Sequence, residues 1–363
     1  MRIEEIDKNL KTETALGLSD VVFLDVRNDP FDIYGLYNPK TEPIFRRMPD
    51  DIASATNDGV KWLATNTAGG RVRFTTDSPY IAVRVKWNSP SIMPHMPICG
   101  IDGFDLYRYE AGVFGIAGKD SFVGTFMPPW DFTTIPNGYS AVLHVGNGGM
   151  RAYTIHFPLY NGVVGLEIGI QKDASVDHGA QYLPVAPVVY YGSSITQGGC
   201  ASRPGNCYQN IISAHLNVDH INLGFSGSAR GEEVMARYIA SLKQSVFVCD
   251  YDHNAPTIDH LRATHEPFYK IIREANPDLP VIFVTKPDTR NSDDDITRRE
   301  IVYETYRNAR AAGDRNVVYI DGYELFGPDY HDCGTVDGCH PNDFGFVRMA
   351  QVIGCEIEKL LRR

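Results

Sequence analysis

Near residue 187 the apolar pattern of this chain changes period, and no other feature constrains the fold as strongly. From Val21 to about Gln171 the apolar residues come in short alternating runs, as in RVRFTTDSPYIAVRVKWN, FDLYRYEAGVFGIAG, YSAVLHVGN and VVGLEIGI. Alternation broken by Gly, Pro and the Asn-Gly pairs at 137–138 and 161–162 predicts an antiparallel β-sandwich. After it, VVYYG, HINLGF, SVFVCDY, PVIFVTKP and NVVYIDG are apolar runs of strand length, each followed by a segment with helical spacing. Five such units predict a parallel sheet covered on both faces, since only a fully buried strand is apolar on both sides. Between the two patterns, residues 172–187 are small, polar and interrupted by Pro184 and Pro187. They read as a linker, which divides the chain into a β-sandwich domain over 1–180 and an α/β domain over 181–363.

Two helices are legible in the second part. Residues 259–276 place Leu261, Phe268, Ile271 and Ile272 on one stripe before Pro277. The last runs on from Pro341, which suits a first helical turn and would hold His340 at the helix start. Charge narrows the partners. With 34 Lys plus Arg against 45 Asp plus Glu, the net charge of -11 disfavours nucleic acid and anionic membrane. A run of 18 apolar residues is lacking, and the charged start MRIEEIDKNLKTETALG has no signal-peptide core, so a soluble cytoplasmic protein is the expectation. The odd set of seven cysteines contains no CxxC pair, and neither a structural zinc site nor a disulfide scaffold is expected.

In an open parallel sheet, ligands sit at the carboxyl ends of the strands. The first of these strands ends in GSSITQGG, residues 192–199, which exposes Ser194 at that edge. A GxSxG nucleophile elbow is absent, because Thr196 stands where the second glycine would be. After the fifth strand comes DGCHP, residues 337–341. Asp337 and His340 lie three apart in a loop and can hydrogen-bond, fixing the imidazole tautomer so that Nε2 can take a serine proton. Acyl transfer also needs donors for an oxyanion. Gly227, in NLGFSGSARG after the second strand, offers an unshielded N–H, and Asn254, in DYDHNA after the third, offers a side-chain amide.

Taken in order, GSSIT, NLGFSG, an Asn after the third strand and DGCHP resemble the four blocks of the SGNH (GDSL-like) hydrolase superfamily. The resemblance implies a flavodoxin-like sheet, Ser194 as nucleophile, an oxyanion hole of Ser194 N–H, Gly227 and Asn254, and a triad completed by Asp337 and His340. Two positions depart from the family pattern: Ser193 replaces the usual Asp before the nucleophile, and DHNA replaces GxND. The amino-terminal half resembles the β-sandwich, jelly-roll-like in character, that precedes certain SGNH esterases and carries a GxDLY motif, here GFDLY at 103–107.

The expected function is therefore a serine esterase that needs no cofactor and acts on a small-molecule acyl ester, a short acyl group such as acetate on a saccharide being preferred. An acyltransferase with the same triad remains open, as does a non-catalytic carbohydrate-binding or scaffolding protein; the oligomeric state is also open. Arg230 and Glu232, close to Gly227, are candidate substrate contacts. Trp130 and Tyr107, from the aromatic loops of the first half, are expected at the substrate mouth. Asp250, Asp252 and His253 could suggest a metal site but lack the three or four convergent ligands one needs, so no metal is expected.

Overall fold

A computed structural model describes residues 16–111, 118–135, 137–287 and 292–362. The charged residues 1–15 and most of the AGVFGIAG stretch lie outside the described residues. The first part contains β1 (Val21–Asp25), β2 (Asp32–Tyr34), β3 (Arg71–Thr76), β4 (Tyr80–Lys86), β5 (Phe104–Glu110), β6 (Lys119–Phe126), β7 (Ser140–His144), β8 (Arg151–His156), β9 (Gly165–Gln171) and β10 (Val176–His178). They form two antiparallel sheets, ordered β1-β9-β4-β7 and β10-β3-β8-β5-β6, with β2 also on β3. Alternate residues such as Phe74, Ile81, Val83, Leu106, Tyr153, Ile155 and Ile168 meet between the sheets, which is why the period-two pattern was readable.

The second part supplies β11 (Val188–Gly192), β12 (His220–Gly224), β13 (Val246–Asp250), β14 (Val281–Val284) and β15 (Val317–Ile320), all parallel in the order β12-β11-β13-β14-β15. That is the flavodoxin-like order. The order reverses beside β11, so the crevice at its carboxyl end is where a ligand is expected. Along β11, Val189 and Tyr191 enter one core while Val188 and Tyr190 enter the other, which explains an apolar run without alternation.

Three short helices of the first part, α1 (Asp50–Thr56), α2 (Asp58–Leu63) and α3 (Ile98–Ile101), interrupt the strands. None was expected, because a window tuned to alternation passes over segments this short. Asn57 caps α2, accepting from Val60 N at 2.9 Å. These helices and their loops complete the cores of the parallel sheet: Met48, Ala53, Val60, Leu63 and Ala64 join one face, and Ala68, Met96, Ile101, Leu159 and Tyr160 the other.

Buried arginines tie the halves together as well. Arg47, 1% exposed, donates to the Asn222 carbonyl at 3.2 Å and to that of Gly224. Arg71 pairs with Asp219. The expected linker also differs in part, since Val176–His178 is an edge strand on Phe74–Thr76.

The helices of the second part are α4 (Ser194–Gln197), α5 (Tyr208–Leu216), α6 (Glu233–Ser241), α7 (Ile258–Ala275), α8 (Asp293–Ala311) and α9 (Asp343–Leu361). Pro341 lies outside α9: Asn342 is the cap, accepting from Gly345 N at 3.1 Å, and its amide donates to Cys333 O at 2.7 Å. A side chain able to accept wins the cap over a ring that only fixes φ.

Candidate active site

The site begins with a close approach of backbones. At Gly192, the last residue of β11, a Cβ would stand 2.1 Å from the Asp250 carbonyl, so only glycine lets the chain turn there against β13. Ser193 then caps the single turn α4, its Oγ accepting from Ile195 N at 3.1 Å. A serine thus caps the turn that carries Ser194. Ser194 is the first residue of the turn, where a backbone N–H has no intrahelical acceptor and points out of the helix start.

α4 is too short to be stable by itself and is held from several sides. Gln197 accepts from Ser226 N at 3.0 Å and donates to Asn66 Oδ1 and Leu159 O at 3.2 and 3.1 Å. Tyr160 Oη donates to Ser194 O at 3.1 Å. Asn66, Leu159 and Tyr160 belong to the first half of the chain, so the β-sandwich part grips the turn carrying Ser194.

The loop before α9 is built by its own aspartate. Asp337 Oδ1 accepts from Cys339 N at 3.0 Å and His340 N at 2.8 Å, while Gly338 takes φ +86°, a conformation that favours glycine. Val336 N donates back to His340 O at 2.9 Å. His340 Nδ1 lies 2.7 Å from Asp337 Oδ2, and His340 Nε2 lies 2.9 Å from Ser194 Oγ. The three groups form one hydrogen-bonded chain across 146 residues of sequence. Burial opposes the charge on Asp337, but the bonds from His340 and Cys339 outweigh it and hold the carboxyl down to about 2. The carboxylate is therefore ionised at neutral pH.

Gly227 stands in the 225–228 turn with φ +63° and open space where a Cβ would be. Asn254 ends the turn Asp252–Asn254, and its Nδ2 donates to Phe225 O at 2.9 Å, which joins the two loops. One amide hydrogen is fixed by that bond and the other remains for a ligand. Two acids stand just before Asn254. Thr196 donates to Asp250 Oδ2 at 3.0 Å, and Asp252 accepts from Lys286 N at 3.1 Å. Burial, reinforced by the charge of Asp252, pushes the Asp250 carboxyl well above the usual carboxylate range. For Asp252 burial is outweighed by His253 and the backbone donors, and its carboxyl is lowered.

The remaining candidates are held by other contacts. Glu232 accepts from Asn57 Nδ2 at 2.6 Å and from Tyr191 Oη at 3.3 Å, bracing α2 against β11; Arg230 is exposed and donates to Gly227 O at 3.3 Å. Trp130 is fully exposed. Tyr107 is buried, stacked on His156 with centroids 5.0 Å apart, and its hydroxyl bonds Arg203. Its neighbour Asp105, 0% exposed, accepts from Arg203 Nη1 at 2.9 Å and Gly205 N at 2.8 Å. The Asp and Tyr of GFDLY thus hold the segment that follows the Ser194 turn.

Sequence reasoning missed His95, whose ring centroid is 5.4 Å from that of His340. It lies in the loop SIMPHMPICG, and only the packing of α3 against residues 200–201 brings it there. No local motif marks it. Cys200 is also close, 3% exposed, with its N–H donating to Pro341 O at 2.9 Å. Burial, with the charge of Asp337 adding, pushes its thiol up to about 12. All seven cysteines are free thiols.

Two family models match separate stretches of the chain. Residues 185–358 match the model of the GDSL-like lipase/acylhydrolase family, and residues 21–176 match the GxDLY model, the N-terminus of SGNH-hydrolase-type esterases. No curated protein matches the chain. Among solved structures, a Bacteroides ovatus protein named for its likeness to GDSL lipases is 28% identical, with TM-score 0.82 over 94% of this chain and 98% of its own. The salicylyl-acyltransferase SsfX3 of a tetracycline biosynthetic pathway is 20% identical, with TM-score 0.73 over 94% and 97%. An acetyl xylan esterase from the rumen bacterium Butyrivibrio proteoclasticus is 13% identical, with TM-score 0.56 over 94% and 99%.

Proposed function

The chain belongs to the GDSL-like lipase/acylhydrolase family and is an esterase of that kind; from this premise we propose that it removes short acyl groups, acetyl above all, from a carbohydrate or similar alcohol, with Ser194, His340 and Asp337 as its triad. One observation carries the reading: the unbroken chain from Ser194 Oγ through His340 to Asp337, with bonds of 2.9 and 2.7 Å.

In the first half-reaction Ser194 Oγ attacks the acyl carbonyl while its proton passes to His340 Nε2. Asp337 keeps the Nδ1 proton in place and stabilises the imidazolium without taking that proton. The new oxyanion is met by the N–H groups of Ser194 and Gly227 and by Asn254 Nδ2. Collapse breaks the bond to the alcohol oxygen, which leaves with the proton from Nε2. Water then attacks the acyl-serine, gives its proton to the same nitrogen, and the acid departs as Ser194 is restored.

Asn254→Ala is expected to lower kcat roughly 10²-fold to 10³-fold with little change in KM, because this donor strengthens as the oxyanion forms. Steady-state kinetics on p-nitrophenyl acetate check this. A change confined to KM would make Asn254 a substrate-positioning residue.

The substrate class is supported by the acetyl xylan esterase among the proteins of like fold. Its test is a series of p-nitrophenyl esters from acetyl to decanoyl, together with acetate release from acetylated oligosaccharides. A kcat/KM that is highest for acetyl and falls with chain length is expected, and an optimum at long chains would overturn the short-acyl reading. A second reading, acyl transfer to an alcohol, is favoured by the better superposition on SsfX3. The triad serves both reactions, and product partition between acid and ester in the presence of acceptor alcohols separates them.

A further inference from the structure

We propose that His95, Cys200 and His340 form a binding site for zinc or a similar borderline-soft divalent cation, and that occupancy switches the esterase off. Among the described residues these are the one group of His, Cys, Asp and Glu whose three ligand atoms all lie within 4.8 Å of one another. Two imidazoles and a thiolate are a zinc ligand set with a fourth position left for water.

The surroundings favour the same chemistry. His340 Nδ1 is bonded to Asp337 Oδ2 at 2.7 Å, the carboxylate–histidine pairing that orients zinc-binding imidazoles and presents Nε2 to the metal. Cys200 is fixed by its bond to Pro341 O at 2.9 Å, one residue from His340. His95 is brought in by α3, where Gly100 packs so tightly on Ala201 that a Cβ would meet its carbonyl at 2.2 Å. With Zn–N and Zn–S bonds of about 2.0 and 2.3 Å, tetrahedral ligand atoms stand about 3.5 Å apart, so the side chains must draw in by about 1 Å. Neither His95 nor Cys200 has a task in the acyl transfer described above.

Inhibition follows from valence. Nε2 has one lone pair and cannot both bind a cation and accept the Ser194 proton. On binding, Cys200 loses its S–H proton to solvent and forms the S–metal bond, and Ser194 loses its hydrogen-bond acceptor. The inhibitory part rests on the triad reading; the binding part does not.

The test uses the full chain, freed of metal by a chelator, and titrated with Co2+ and then Zn2+. One Co2+ per chain with a thiolate-to-cobalt charge-transfer band is expected, displaced by Zn2+. Zinc should slow fluorophosphonate labelling of Ser194 and ester turnover in parallel, and chelator should reverse both. Cys200→Ser should lose the band. His95→Gln, on a partly exposed loop, should weaken zinc binding at least tenfold against a chromophoric chelator. Absence of the band in the unmodified protein, or zinc affinity unchanged in both variants, would overturn the site. A bound cation that leaves labelling of Ser194 as fast as before would overturn the switch. Failure of Ser194 to label without metal would count against the triad alone, with the cobalt spectrum still deciding the site.

Discussion

Ser194→Ala is expected to lose stoichiometric fluorophosphonate labelling and to lower kcat on p-nitrophenyl acetate by roughly 10⁶-fold, the scale seen when a triad nucleophile is removed. Stability should change little, since the substitution deletes one partly buried hydrogen bond, about 1 kcal/mol. His340→Ala should fall as far. Asp337→Asn should fall less, roughly 10⁴-fold, because Asp337 orients the imidazole without exchanging a proton with substrate. Labelling, turnover and a melting curve on the same preparations decide the matter: a fully active Ser194→Ala enzyme would end the triad reading, and a silent Asp337→Asn would reduce the triad to a dyad.

The largest effect on stability is expected at Asp105. Its carboxylate is 0% exposed and receives Arg203 Nη1 and Gly205 N, with His156 Nδ1 at 3.4 Å. Asp105→Ala leaves the Gly205 N–H without its acceptor and takes the carboxylate from the Arg203 guanidinium, which keeps the Tyr107 hydroxyl. Breaking a buried pair costs about 3–5 kcal/mol, and Arg203, 20% exposed, can recover part of its hydration, so a loss of about 2–4 kcal/mol is expected. Denaturant unfolding measures it. Arg203→Ala should cost less, since the carboxylate keeps the Gly205 N–H. A melting curve for Asp105→Ala equal to that of the parent would mean that the GFDLY aspartate does not hold the two parts together.

What could be read in advance follows physical range. The parallel strands were legible because each is apolar on both faces over its own few residues, and the Asp337–His340 pair because both partners lie in one turn. The capping role of Ser193 was legible in principle, since its acceptor reaches only two residues ahead, but the family's aspartate drew attention to what was missing. His95, Cys200 and the Asp105–Arg203 pair were hidden for the opposite reason. Their partners are 245, 140 and 98 positions away, and only the packing of loop against loop brings them together. α1 and α2 fall between the two cases: the Asn57 cap and the Val60–Leu63 spacing were local, but each helix is under two turns and carries little periodicity.

The completion of the parallel sheet's cores by Val60, Leu63, Met96 and Ile101 has a consequence for the order of synthesis. A ribosome releases these side chains well before the first strand of the sheet they cover has been made. Until then the apolar surfaces they form have nothing to bury against, although the sandwich behind them can already close. The nascent chain therefore passes through a stage in which one half is structured and adhesive. Its yield in a cell should depend on how quickly translation runs from His178, where the sandwich is complete, to Ile320, where the parallel sheet is.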